Sequence, residues 1–233
     1  MIDKVFSSPL DALEGLSDGA TIMIGGFGGA GQPTVLIDAL IEHGARALTI
    51  VNNNAGNGEM GLAALIKAGR VQKIICSFPR QSDSQVFDAA YRAGRIELEL
   101  VAQGNLAERI RAAGAGIGGF FTPTGFGTEL ARGKETRCID GRMHVFEQPI
   151  HAEWALVMAE TGDRWGNLTY RKTARNFGPI MAMAARKTVA SVHQLTPPGM
   201  LDPEVIVTPG IFVRRVVQVP RMAPGLAIHK EAA

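Results

Sequence analysis

Cysteine is almost absent: 233 residues contain only Cys76 and Cys138. Two isolated thiols make neither a disulfide framework nor a metal-ligand spacing, and they fit a cytoplasmic protein. No window holds the roughly 18 to 20 uninterrupted apolar residues of a membrane span. The start, Met1-Ile2-Asp3-Lys4-Val5-Phe6, lacks the basic and apolar regions of a signal peptide, so no export and no membrane partner are expected. Basic runs stop at pairs such as Arg214-Arg215 and the net charge is only +2, which argues against nucleic acid as a partner. There is no Gly-x-Ser-x-Gly elbow, no His-x-x-x-His and no Cys-x-x-Cys. Serine-hydrolase chemistry and a metal centre are therefore not expected. Aromatic residues make up only 6% of the chain.

Glycine is plentiful instead, at 28 residues, with 46% hydrophobic and 20% charged residues. That balance belongs to a globular chain with many tight turns, long enough for one sizeable core. We expect one domain over 1–220 and a disordered tail over 221–233, where the sequence after Pro220 is small, polar or charged.

Residues 1–115 alternate short apolar runs with helical patterns. Strands are expected at Thr21 to Ile24, Ala47 to Val51, Val71 to Cys76 and Ile96 to Val101. Helices are expected at Pro33 to His43, Gly61 to Ala68, Ser84 to Arg92 and Leu106 to Ala113, the last capped by Asn105 and stopped by Gly114. Continuous apolar strands alternating with helices predict an α/β fold: an open, mostly parallel sheet with helices on both faces. The second half is less regular. Gly116 to Gly127 reads as a long loop, and such loops are often functional. A helix is expected at Pro179 to Arg186. Additional strands are expected at Val145-Phe146, Trp154 to Met158, Thr188 to Val192, Val205 to Val207 and Ile211 to Val219, with a turn at Asp163 to Asn167.

Gly26-Phe27-Gly28-Gly29-Ala30-Gly31 fits Gly-x-Gly-x-x-Gly between a strand and a helix. Glycines there let backbone N–H groups approach an anion at the positive end of a helix. A dinucleotide site also needs an acid after the second strand, and Asn52-Asn53-Asn54 stands there instead. A tight turn of purely structural use and a loop lining an acyl or anionic site remain open. Asparagines are poor strand formers, so the triplet either makes a turn or orients a ligand at a strand's carboxyl end. Gln103-Gly104-Asn105 holds the equivalent place after the fourth strand, where a glutamine amide beside a helix start can stabilise an oxyanion. Cys76 ends a strand, where nucleophiles sometimes reside, but no activating base accompanies it and a small buried thiol is the simpler reading. This is the architecture of a site without an evident reactive group.

The stretch Asp18-Gly19-Ala20-Thr21-Ile22-Met23-Ile24-Gly25-Gly26-Phe27-Gly28-Gly29-Ala30-Gly31-Gln32-Pro33 is similar, position by position, to the signature of the first coenzyme A transferase family. The segments Asn53 to Gly56, Gln103 to Arg109, Thr122 to Thr128 and Tyr170 to Phe177 also resemble that family's A half, so the likeness runs from about residue 3 to 220. The resemblance implies a nucleophilic glutamate in a Ser-Glu-Asn-Gly segment of a B subunit. This chain has no such segment, so the partner would supply it in a heterodimer or heterotetramer. It also implies ping-pong transfer: the glutamate attacks an acyl-CoA, an acyl–glutamyl anhydride becomes an enzyme–CoA thioester, and an acceptor acid takes the CoA. Coenzyme A thioesters would be substrates, with no cofactor. Gln103 would be the oxyanion donor on this side. Gly26, Phe27, Gly28, Gly29, Asn53, Asn54 and Gly104 would border the acyl pocket.

Asn52 to Gly58, Cys76 to Gln81 and the ending Gln218-Val219-Pro220 look like the branch acting on 3-oxoadipate in the degradation of aromatic compounds, with succinyl-CoA as donor. Halves acting on acetoacetate differ around 77–81. A dicarboxylate also calls for a second cationic anchor, and Arg80, after the third strand, is the candidate. An arginine exposed to solvent is the competing reading.

Overall fold

The computed structural model describes residues 2–221. The first half holds β1 (Val5–Phe6), β2 (Thr21–Ile24), α1 (Thr34–His43), β3 (Leu48–Val51), α2 (Leu62–Lys67), β4 (Val71–Cys76), α3 (Gln85–Arg92), β5 (Glu97–Leu100) and α4 (Gln103–Ala115). After these come β6 (Phe120–Thr122), β7 (Thr136–Ile139), β8 (Arg142–Glu147), β9 (Ala152–Asp163), β10 (Leu168–Thr169), α5 (Gly178–Ala184), β11 (Ala185–Thr196) and β12 (Arg215–Gln218).

Among the described residues the main sheet runs β1-β12-β11-β9-β2-β3-β4-β5, with β10 pairing off β9. All of its pairs are parallel except β10 with β9. Period-two alternation sends neighbouring residues to opposite faces. Ile22 and Ile24 pack with Leu36, Ile37 and Leu40 of α1, Leu65 of α2 and Phe87 of α3. Met23, between them, packs on the other face with Leu106 and Ile110 of α4 and Met181 of α5. The expected mostly parallel α/β sheet, covered on both faces, is what forms. At ten residues α1 is too short to hold alone, since isolated helices below about 12 to 15 residues are marginal. Each fully buried leucine or isoleucine contributes about 1.5–3 kcal/mol, so packing rather than propensity maintains it.

The second half departs from expectation in several places. Val145-Phe146 belongs to a longer β8, which pairs antiparallel with β6 and β7 in a separate three-stranded sheet. Strand β6 lies inside the segment expected to be loop. Strands β9 and β11 extend to twelve residues each, paired from Ala152↔Ala185 to Asp163↔Thr196. Val205 to Val207 is not a strand: Pro203, which has no N–H to donate, opens a 3-10 turn over Pro203–Val205. Ile211 to Val219 begins as a second 3-10 turn and only Arg215–Gln218 is strand. The turn at Asp163 to Asn167 does form. Asp163 is buried and accepts from the backbone N–H groups of Trp165 and Asn167 at 2.9 and 3.0 Å.

Helix α4 corrects two expectations. It starts at Gln103, not after Asn105, and it runs through Gly114. Gly114 is a contact point, because a Cβ there would lie 2.7 Å from the Met183 Cβ of α5. The helix ends at Gly116, whose φ of 71° is the left-handed closure. No described helix is long and apolar enough to cross a membrane. Of the expected tail, Arg221 is described and pairs with Glu160, while 222–233 lie outside the described residues.

Candidate active site

Four adjacent carboxyl ends, those of β2 to β5, meet at one edge of the sheet, where ligands bind in open α/β folds. They enclose a cavity of about 370 Å³. Phe27 and Gly28 come from the loop after β2, Asn53 and Asn54 follow β3, and Phe78, Gln81 and Ser82 follow β4. Gln103 opens α4 after β5. None of these lining groups is an acid or a base.

The glycine loop divides its glycines between two uses. Gly26, with φ 119°, packs against the backbone of Gln32, and Gly31, with φ 74°, leaves no room for a Cβ beside the Ala174 carbonyl. Those two close the loop on its surroundings. Gly28, with φ 58°, and Gly29 have open space before them. Phe27 and Ala30 exchange backbone hydrogen bonds at 3.0 and 3.1 Å, which holds the loop out as a tight turn with Phe27 exposed.

All three asparagines are buried and none has a positive φ, so left-handed turn geometry is not their reason for being there. The Asn52 Nδ2 donates to the Ile24 carbonyl at 2.5 Å, and its Oδ1 accepts from the Asn54 N–H at 2.9 Å. The position where a dinucleotide site needs a carboxylate is thus used to tie β3 to β2. Asn54 Oδ1 accepts from the Gly56 N–H at 2.8 Å, while its buried Nδ2 has no protein partner. Such an orphan donor costs about 1–3 kcal/mol unless a ligand or water meets it.

Asn53 is the hub. Its Oδ1 accepts from Ser77 Oγ at 2.8 Å and from Gln103 Nε2 at 2.9 Å. Its carbonyl accepts from the Ser77 and Phe78 N–H groups at 3.2 and 3.0 Å. Sequence reasoning did not single out Ser77, although its place directly after β4, on the same edge, was a usable signal. Gln103 and Gly104 stand exposed in the first turn of α4, and the Leu106 N–H is the first to reach an intrahelical acceptor, the Ala102 carbonyl at 2.8 Å. Backbone N–H groups at this positive helix end, together with the second Nε2 hydrogen of Gln103, can receive an oxyanion.

Arg80 is not brought into this arrangement. Its Nε donates to Asp88 Oδ1 of α3 at 2.8 Å, its side chain is largely exposed, and it does not line the cavity. Cys76 is buried beneath the site, and burial pushes its thiol up to about 12, so it is an inert core group.

The family description "Coenzyme A transferase" matches residues 7–219. The chain is 68% identical to the A subunit of 3-oxoadipate CoA-transferase from Pseudomonas putida, covering 94% of this chain and 95% of that one. It is 64% identical to the A subunit of the same name from Acinetobacter baylyi, over 94% of this chain and 96% of the other. Glutaconate coenzyme A-transferase from Acidaminococcus fermentans superposes with a TM-score of 0.79 at 20% identity, covering 93% of this chain and 76% of that one. That likeness concerns the fold. With the signature loop, the asparagine hub and the opening of α4 all falling within the matched span, the chain belongs to the coenzyme A transferase family.

Proposed function

We propose that this chain is the A half of a transferase that moves coenzyme A from succinyl-CoA to 3-oxoadipate, giving succinate and 3-oxoadipyl-CoA. The observation that carries this reading is near-full-length identity to two A halves named for that activity. The cavity supports it, because it offers oxyanion donors but no carboxylate nucleophile and no base to activate the Ser82 hydroxyl. A glutamate from a B subunit, in a Ser-Glu-Asn-Gly segment, completes the site.

That glutamate attacks the thioester carbon of succinyl-CoA. The C–S bond breaks, leaving a mixed anhydride and CoA thiolate. The thiolate attacks the glutamyl carbonyl, succinate departs, and an enzyme–CoA thioester remains. The carboxylate of 3-oxoadipate then displaces the thiolate to form a second anhydride. Thiolate attack on its substrate-side carbonyl yields 3-oxoadipyl-CoA and frees the glutamate. Every addition passes through a tetrahedral oxyanion, and Gln103 holds it from this side. Phe27, Gly28, Asn53 and Asn54 line the acyl pocket, and the backbone of Gly26, Gly29 and Gly104 carries the loop and helix start that frame it. Both CoA thioesters are substrates, and no cofactor takes part.

The test is to assay the purified chain alone and after mixing with its B subunit. The lone chain should transfer nothing from succinyl-CoA to 3-oxoadipate, and the mixture should turn over. Substantial transfer by the lone chain would overturn the reading.

A further inference from the structure

We infer that Glu147 is a positioning residue for the transfer: through Asn105 it sets the first turn of α4, and so the aim of the Gln103 amide. The inference rests on the reading of Gln103 as oxyanion donor.

Ala102, the N-cap of α4, offers no side-chain cap, so the Gln103 amide reaches Asn53 from an uncapped first turn. The hold is lateral instead. Asn105, buried in that turn, donates from Nδ2 to Glu147 Oε1 at 3.0 Å and to the Thr124 carbonyl at 3.1 Å. Arg109, one turn later on the same face, brings its Nε to 3.7 Å from Glu147 Oε2 and donates to the Gln148 carbonyl at 2.7 Å. The Ile150 N–H adds a fourth hydrogen bond, to the Arg109 carbonyl at 3.0 Å.

Glu147 ends β8 with its side chain only 4% exposed, where an uncompensated carboxylate is strongly disfavoured. Lys134 compensates it at 2.7 Å. The small antiparallel sheet therefore carries a buried anion whose partners on α4 lie four residues apart. Two grips one turn apart on one face fix the rotation of a helix about its axis.

Gln103 precedes Asn105 by two positions, which places it about 200° around the helix, on the side toward Asn53. Rotation of α4 by about 10° would carry a side-chain tip some 6 Å from the axis through about 1 Å. A misplacement of about 1 Å can cost about 100-fold in rate. Thr124 lies in the glycine-rich segment after α4, so that segment also acts as part of the backstop.

The test uses the complex with its B subunit. Glu147→Ala and Asn105→Ala should each lower kcat by about 10- to 100-fold, with KM for both substrates within about threefold of the parent. Glu147→Gln still accepts from Asn105 and should recover most of the loss. In a Gln103→Ala background the same alanine substitutions should change kcat by less than about twofold, because residues acting through one group are not additive. Equal losses in both backgrounds, or unchanged kcat in an assembled variant, would overturn the inference. Should Glu147→Ala fail to assemble, the cycle built on Asn105→Ala decides. A parent complex without transfer activity would instead count against the proposed function, so the two failures are distinct.

Discussion

The side-chain amide of Gln103 donates to Asn53 Oδ1 over 2.9 Å, joining the start of α4 to the end of β3. The bond uses one Nε2 hydrogen and orients the other. In the assembled complex, Gln103→Ala should lower kcat by about 10- to 1000-fold, the cost of losing one oxyanion donor. Gln103→Glu should lose more, since a carboxylate would face both Asn53 Oδ1 and the developing oxyanion. Steady-state kinetics of the variants, with assembly checked by size-exclusion chromatography, measures this. Unaffected turnover would mean that another group holds the oxyanion.

Arg80 already has an anion, Asp88, and stands outside the cavity lining. Arg80→Ala should therefore change kcat/KM for 3-oxoadipate and for acetoacetate alike, by less than about threefold, as exposed ion pairs contribute little. A loss confined to 3-oxoadipate would show that the guanidinium leaves Asp88 to hold the remote carboxylate.

Gly31 and Gly29 should respond differently to alanine. Gly31 combines a φ of 74° with the Ala174 carbonyl where a Cβ would go, and its neighbour Ala30 accepts from Asn176 Nδ2 at 2.9 Å. Gly31→Ala forces backbone apart and should destabilise by at least about 1–3 kcal/mol, the ordinary cost of a strained φ. Gly29→Ala, in open space and without a positive φ, should leave the melting temperature within about 2 °C. Thermal melts of the two variants test the division of labour in the loop.

Burial pushes the Cys76 thiol up from 9.0 to about 12 and the Tyr170 hydroxyl up from 10.0 to about 12. Both groups keep their protons in the fold at pH values where the unfolded chain has lost them. Their contribution is complete below about pH 9 and is lost as pH climbs toward 12. The melting temperature should fall across that window, and Cys76→Ala with Tyr170→Phe should flatten the fall. Iodoacetamide under mildly alkaline conditions should label exposed Cys138 alone in the native chain and both cysteines after denaturation, as read by mass spectrometry. Native labelling of Cys76 would contradict its burial.

Most of the first half was legible because its signals are local. Val71 to Cys76 emerged as β4 with the expected ends, since six residues sufficed to show an apolar strand. The asparagines after β3 stood out because they oppose strand propensity, and the structure buries all three and places Asn53 and Asn54 at the cavity. Gln103 drew notice through its equivalent place on the same edge.

What remained hidden depended on residues far apart in sequence. Asn105 has the local look of a helix cap, yet its amide is claimed from the side by Glu147, forty-two positions later. Arg80 has the local look of an anion anchor, but α3 brings Asp88 to it. The sequence by itself determined the strand–helix alternation, the glycine turns and the family signature, because each rests on backbone preferences and periodicity within a few residues. Only the tertiary structure decided that β9 would lie beside β2, that a second small sheet would brace α4, and which amides would meet at Asn53. Those outcomes follow from burying apolar faces and satisfying buried polar groups across the whole chain, and no short window of sequence contains both partners.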